Sequence, residues 1–192
     1  MGYKLEGNWA AGVAFDLHTL SSENLGRDDH GHDQYNNSRS EMGELVYQLK
    51  SKHDWSVVDN IVDLVQTVKG LDKMDAIIPI PPGNKDRSKQ PVYSIATEIG
   101  NRFNIKVYLD ALEIPRGSQE LEGIDDPRKR QVELRSSMRL AKNYNLSGRN
   151  ILLIDELYRP GSPLTVATEL LYEKAGANNV YVLTLVKASR KR

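Results

Sequence analysis

At 192 residues the chain fits one domain with a single good core, and 26 Lys plus Arg against 26 Asp plus Glu leave no net charge to draw it to nucleic acid or to a membrane, so any anion site is local. Cysteine is absent, which excludes disulfides, thiolate metal sites and cysteine nucleophiles. Met1-Gly2-Tyr3-Lys4 opens no apolar leader and no apolar run is long enough to cross a bilayer, so a cytoplasmic protein without membrane attachment is expected.

In chain order, residues 9–20 mix small and apolar side chains and suggest a strand pair. Residues 21–42 are rich in Ser, Asn, Asp, Gly and His and read as a long polar loop or flap, giving an N-terminal unit over 1–40 ahead of a main domain over 41–192. Met42, Leu45, Val46 and Leu49 fall at helical spacing over 41–50. Ser56 with Asp59 three residues on resembles a capping start, and the apolar pattern continues a helix to about 69–70. Ala76-Ile77-Ile78-Pro79-Ile80 is a continuous apolar run between breakers, the signature of a strand buried on both faces. A Pro, Gly and Lys-rich loop leads to a helix over 92–103, then a strand over 106–109. Residues 115–126 form a charged loop, and 128–139 is basic with helical or extended character open. Ile151-Leu152-Leu153-Ile154 is a second buried strand. An amphipathic helix over 164–175 stops at Gly176, and 180–186 is a β-branched strand. Strands alternating with helices predict an α/β fold, a mostly parallel central sheet flanked by helices.

In such sheets ligands bind beyond the carboxyl ends of the strands. The segment Ile151-Leu152-Leu153-Ile154-Asp155-Glu156-Leu157-Tyr158-Arg159-Pro160-Gly161-Ser162-Pro163-Leu164 occupies that place: an apolar strand ends in two carboxylates, and a glycine-containing turn opens a helix. Carboxylates accept hydrogen bonds from a vicinal diol, while helix N-terminal amides face a phosphate. The structural alternative is a plain strand end, with Ser162 as N-cap and Pro163 at N1.

This segment resembles the phosphoribosyl pyrophosphate motif of type I phosphoribosyltransferases, most closely the ComF-like branch (competence protein ComF and amidophosphoribosyltransferase-like). The likeness extends in matching order from Glu41-Met42-Gly43-Glu44-Leu45-Val46-Tyr47-Gln48-Leu49-Lys50, through Ile77-Ile78-Pro79-Ile80-Pro81-Pro82 and the helix after Gln90-Pro91-Val92, to Ala177-Asn178-Asn179-Val180-Tyr181-Val182-Leu183-Thr184-Leu185-Val186-Lys187. The resemblance implies a type I phosphoribosyltransferase fold with an N-terminal hood, and a glycosyltransferase reaction in which a nitrogen base displaces pyrophosphate from phosphoribosyl pyrophosphate with Mg2+. Carried over by position, Asp155 and Glu156 would hold the ribose 2′- and 3′-hydroxyls. Arg159, Pro160, Gly161, Ser162, Pro163 and Leu164 would surround the 5′-phosphate, and Pro81, Pro82, Lys85 and Arg87 would meet the pyrophosphate. Residues 115–126 would close over the reaction, and no direct protein ligand to the metal is expected. The family also implies a possible homodimer and an association with DNA uptake.

The chain departs from the family pattern at three positions. Glu156 lengthens one carboxylate, while Pro160 and Pro163 each remove a hydroxyl and a backbone N–H. Two lost bonds to a charged group are worth about 3–6 kcal/mol, or about 10²–10⁴-fold in affinity. A weakened or inactive homologue acting as a regulatory or partner-binding module in DNA metabolism is therefore the alternative.

Other candidates have two readings each. Asp28-Asp29-His30-Gly31-His32-Asp33 holds divalent-metal ligand types or is a solvated flap. His18 contacts a base or fills a polar niche. Arg128-Lys129-Arg130, Arg135 and Arg139 grip phosphates of a substrate or nucleic acid, or form a solvated face balanced by Glu120, Glu122, Asp125 and Asp126. Trp9 and Trp55 read as core or interface anchors.

Overall fold

The computed structural model describes residues 2–28, 30–82, 89–114, 124, 126–141 and 144–188. The apolar runs become the centre of a six-stranded sheet. Its strands are β1 (Tyr3–Lys4), β2 (Ala11–Leu17), β5 (Ala76–Pro79), β6 (Lys106–Val107), β9 (Asn150–Tyr158) and β10 (Asn179–Lys187), in the spatial order β1-β2-β10-β9-β5-β6. All neighbours are parallel except β1 with β2. The α/β architecture with a mostly parallel sheet is thus the one the alternation of elements predicts.

Alternation along each central strand splits the core into two layers. Leu152 and Ile154 of β9 and Ile77 of β5 face the helices α1 (Glu41–Ser51), α2 (Val58–Val65) and α3 (Pro91–Phe103), through Leu49, Ile61 and Ile95. Ile151 and Leu153 of β9 and Ile78 of β5 face α4 (Pro127–Ser137) and α5 (Leu164–Glu173), through Leu134, Ala167 and Leu171. Burial on both faces is why these strands read as unbroken apolar runs. No helix among the described residues is long and apolar enough to cross a membrane.

Three expectations change. The strand over Ala11–Leu17 is a parallel member of the central sheet, held by β10 at the far end of the chain. The expected polar loop is an antiparallel ribbon, β3 (Thr19–Arg27) with β4 (Asp33–Arg39), joined at the carboxyl end of β2. Nearly every residue of it is exposed, so no apolar alternation marks it in the sequence. The second helix begins differently: Asp54, not Ser56, is the cap, its carboxylate accepting Ser56 N–H at 3.0 Å and opening a 3-10 turn over Trp55–Val57. That helix ends at Val65, short of 69–70. The segment left open between helix and strand is helical, as α4. The two short strands β7 (Leu112–Glu113) and β8 (Arg139–Leu140) pair antiparallel on either side of the excursion that carries it.

The start of α1 is stapled to the end of β2. Ser40 Oγ accepts the Gly43 N–H at 3.0 Å and donates to the Leu17 carbonyl at 2.5 Å. A Cβ on Gly43 would lie 2.2 Å from the His18 carbonyl oxygen, so this approach of helix to strand requires glycine.

Candidate functional site

The site is built on the carboxyl ends of β5, β9, β10 and β2. Strand β9 does not stop at Ile154 but runs on to Tyr158, so Asp155 and Glu156 are strand residues. The sheet's alternation then separates their environments. Glu156, 8% exposed, turns toward α1, where its Oε2 is 2.5 Å from Lys50 Nζ. Asp155 stays beside its own backbone, its Oδ1 accepting the Glu156 N–H at 2.7 Å. Burial first, and then the charge of Glu156, push the Asp155 carboxyl up to about 7, against the pull of the Glu156 and Leu157 amides and of Lys50. A pair of carboxylates that looks equivalent in sequence is therefore unequal: one is an ion-paired anion, the other a carboxyl that gains and loses its proton near neutrality.

Sequence alone does not single out Lys50. Its position was visible only as a cation on the helix that otherwise buries Met42, Val46 and Leu49. Breaking the pair leaves Glu156 poorly solvated. Lys50 is 40% exposed, so Lys50→Met is expected to cost about 1–2 kcal/mol, below the ~3–5 of a fully buried pair. Urea denaturation should show Glu156→Gln restoring most of that loss in the Lys50→Met background.

Beyond β9 the chain turns through Arg159–Pro163 into α5. Arg159 and Pro160 are exposed, Ser162 and Leu164 are buried, and the Ser162 N–H closes the turn on the Arg159 carbonyl at 3.0 Å. Pro163, not Ser162, occupies the N-cap position of α5, and no side chain caps the helix. The Leu164, Thr165 and Val166 amides have no acceptor among the described residues, so the opening of α5 keeps its unpaired donors and its partial positive charge. Gly161 has φ +72°, and a Cβ there would lie 2.7 Å from both Pro127 Cα and Pro127 O. The turn is thus walled by the first residue of α4, a contact with no signature in sequence.

The other candidates divide. Pro81 and Pro82 follow β5 on the same sheet edge, whereas Lys85, Arg87 and 115–123 lie outside the described residues. A cleft of about 890 Å³ runs from Pro81 and Pro82 along Trp55, Tyr93, Lys89 and Asp110, and no residue of 155–164 lines it. Lys89 Nζ stands 4.4 Å from the centre of the Trp55 ring, and burial, then Asp110, raise the Tyr93 hydroxyl pKa. Trp9 is core, its Nε1 donating to the Leu5 carbonyl at 3.0 Å.

Of the basic residues over 128–139, Arg130, Arg135 and Arg139 have side-chain partners, while Arg128 and Lys129 are engaged through their backbone amides. Asp126 caps the helix, accepting the Arg128 and Lys129 amides at 2.8 and 3.2 Å. Arg130 donates to the Ile124 carbonyl at 2.6 Å, and Arg135 grips Glu169 of α5 with two bonds of 2.7 and 3.0 Å. Arg139 meets Glu113 at 2.5 Å. Of the expected acidic counterparts, Asp126 acts as a cap, while Glu120, Glu122 and Asp125 lie outside the described residues. At the ribbon tip Asp28 accepts the His30 and His32 amides at 2.9 and 2.8 Å, so its carboxylate shapes a turn. No group of three or more His, Asp or Glu side chains placed to hold a metal occurs among the described residues, and Asp29 lies outside them. His18 is half-buried with Nδ1 2.9 Å from Thr19 Oγ1.

No protein-family model matches the chain, and no curated protein matches it. Solved structures similar to it include adenine phosphoribosyltransferase from Thermoanaerobacter pseudethanolicus, at 11% identity over 79% of this chain and 88% of that chain with a TM-score of 0.45. The adenine phosphoribosyltransferase of Leishmania tarentolae is similar at 11% identity, over 87% of this chain and 94% of that chain, with a TM-score of 0.38. That of Leishmania donovani is similar at 10% identity, over 97% of this chain and 86% of that chain, with a TM-score of 0.40.

Proposed function

We propose that the protein has a type I phosphoribosyltransferase fold and binds phosphoribosyl pyrophosphate, or another 5′-phosphoribosyl ligand, with Mg2+, transferring the phosphoribosyl group to a nitrogen base. The observation that carries this reading is Asp155. It is a poorly solvated carboxyl at the carboxyl end of a central parallel strand, followed within the same segment by a helix whose first amides are unpaired. In this reading Asp155 holds a ribose hydroxyl, with Glu156 at its side fixed by Lys50. Arg159, Gly161 and the α5 amides take the 5′-phosphate. The ends of β5, with Pro81 and Pro82, lie toward the pyrophosphate, and the β3–β4 ribbon stands as the hood.

The donor set suits the cation. Glu156 is engaged by Lys50, which leaves essentially one carboxylate oxygen pair from the protein at this point, as fits a Mg2+ that keeps its waters and is carried by the ligand's phosphates. When bound, the ion neutralises the charge of the departing pyrophosphate.

A weakened homologue acting as a regulatory or partner-binding module remains the second reading, favoured by Pro160 and Pro163, which leave the turn two amides short. Titration calorimetry with phosphoribosyl pyrophosphate and Mg2+ separates the two. Binding heat is expected from the wild-type chain, and Asp155→Asn should weaken binding about 10–100-fold while the far-ultraviolet circular dichroism is unchanged. Absence of heat at millimolar ligand would leave only the second reading.

A further inference from the structure

On the α1 side of the same sheet edge, the phosphoribosyl reading gives Lys50 to Glu156 and Arg159 to the 5′-phosphate, and leaves Arg39 and His18 without a task. His18 follows β2 directly, donates its N–H to the Lys187 carbonyl at 2.9 Å, and is pressed against Gly43 of α1. Tyr47 and Lys50 follow Gly43 at helical spacing and so share its side of the helix. Arg39, the last residue of the ribbon, lies over the Tyr47 ring with Cζ 3.8 Å from its centre. One arm of its guanidinium, Nη1, reaches Glu44 Oε2 at 3.3 Å, but its Nε is buried with no hydrogen-bond partner among the described residues. A buried donor on a charged group is costly to leave unpaired, so this guanidinium gains from an added acceptor beside it. Arg159 leaves β9 on this edge, exposed and with no ion pair among the described residues.

Among the described residues three cations thus stand around His18, and two carboxylates are ion-paired with them, Glu44 with Arg39 and Glu156 with Lys50. Asp16, on β2, is occupied by the Leu17 N–H at 2.7 Å. We propose that Arg39 and Lys50, with Arg159 on the border shared with the phosphoribosyl turn, form an anion site beside His18 that takes an oxyanion, a carboxylate or a phosphate, borne by the second reactant. The assignment to a second reactant rests on the function proposed above; the anion site itself does not. A charged acceptor would enter between the ribbon and α1, on the flank of Asp155 away from Pro81 and Pro82. The His18 ring supports the geometry: burial first, then Arg39, Lys50 and Arg159, hold its pKa below the ordinary imidazole value. Near neutral pH it therefore adds no fourth cation and offers a single neutral hydrogen-bonding edge.

The same cations make His18 the reporter. An anion bound among them cancels their push, so the ring's titration midpoint rises. Nuclear magnetic resonance of the full chain, with the His18 signal assigned by its loss in His18→Gln, follows that midpoint with and without inorganic phosphate, and separately with benzoate. A rise of about one pH unit with either probe is expected, and the more effective probe identifies the oxyanion. In Arg39→Gln the midpoint should start higher and no longer respond. Should that variant unfold, Arg39→Lys keeps the charge without the buried Nε and should weaken the probe about tenfold. No response to either probe in the wild-type chain overturns the site. So does an undiminished response in the Arg39 variants, since the anion would then lie elsewhere. Arg39 lies outside the proposed phosphoribosyl turn, so the two proposals fail separately. A His18 response without binding of phosphoribosyl pyrophosphate sinks the phosphoribosyl reading alone, and the reverse sinks the anion site alone.

Discussion

Asp155→Asn is expected to stabilise the protein above neutral pH. Its carboxyl is raised from the ordinary 3.8 to about 7, so the folded chain holds a proton that the unfolded chain has already released. The stability tied to that proton is complete below about pH 4 and is lost as the pH rises through about 7. An interval of this size corresponds to about 4 kcal/mol, and the solvent contact that Asp155 retains trims the expected gain of the variant at pH 8 to about 2–4 kcal/mol. At pH 5, where wild-type Asp155 is neutral and nearly isosteric with Asn, the two proteins should agree within about 1 kcal/mol. Urea denaturation at both pH values measures this, and equal stabilities at pH 8 would mean that Asp155 titrates as an ordinary aspartate. A carboxyl that lowers stability above neutral pH yet sits at the carboxyl edge of the parallel sheet fits the binding role proposed for Asp155.

Gly161→Ala should be the most damaging single-methyl change in the candidate site. The left-handed φ of +72° costs a non-glycine residue about 1–2 kcal/mol. Here the new Cβ would also meet backbone atoms of Pro127 at 2.7 Å, and backbone cannot rotate out of the way. Helix α4 cannot simply retreat, because Leu134 anchors it in the core and Arg135 ties it to Glu169. A loss of about 2–4 kcal/mol is expected, together, under the proposed function, with loss of phosphoribosyl pyrophosphate binding. Gly148→Ala is the matched comparison: its φ is +73° but nothing lies within 4 Å of the added methyl, so about 1–2 kcal/mol should go and binding should remain. If thermal denaturation shows equal losses for the two variants, α4 does not clamp the turn.

The sheet's centre was readable because parallel strands buried on both sides leave no polar positions; Ile151–Ile154 and Ala76–Ile80 have little else they can be. The ribbon of Thr19–Arg27 and Asp33–Arg39 was not, since a two-stranded element exposed on both faces imposes no alternation that a sequence could display. Asp155 and Glu156 were legible as a pair of acids at a strand end, but not as unlike acids. Their difference is made by the burial of Asp155 and by the pairing of Glu156 with Lys50, more than a hundred positions upstream on a helix across the sheet. The walling of Gly161 by Pro127 is hidden for the same reason, because only the tertiary fold brings the start of α4 to the turn. Glycine with Ser and Pro after it announced a helix start, yet which residue caps that start depended on a backbone path that propensities do not fix.

Strand β2 is made long before its parallel partner, β10, the last strand of the sheet among the described residues. During translation it must therefore wait with its β10 edge open until Lys187 has left the ribosome, a delay that favours slow maturation and exposes a template for pairing with other chains. Its neighbour in sequence, His18, is held by that same late-arriving strand. The flank that gathers Arg39, Lys50 and Arg159 is accordingly assembled last, and a nascent chain shortened before β10 would carry the Asp155 turn without the cationic half of the edge.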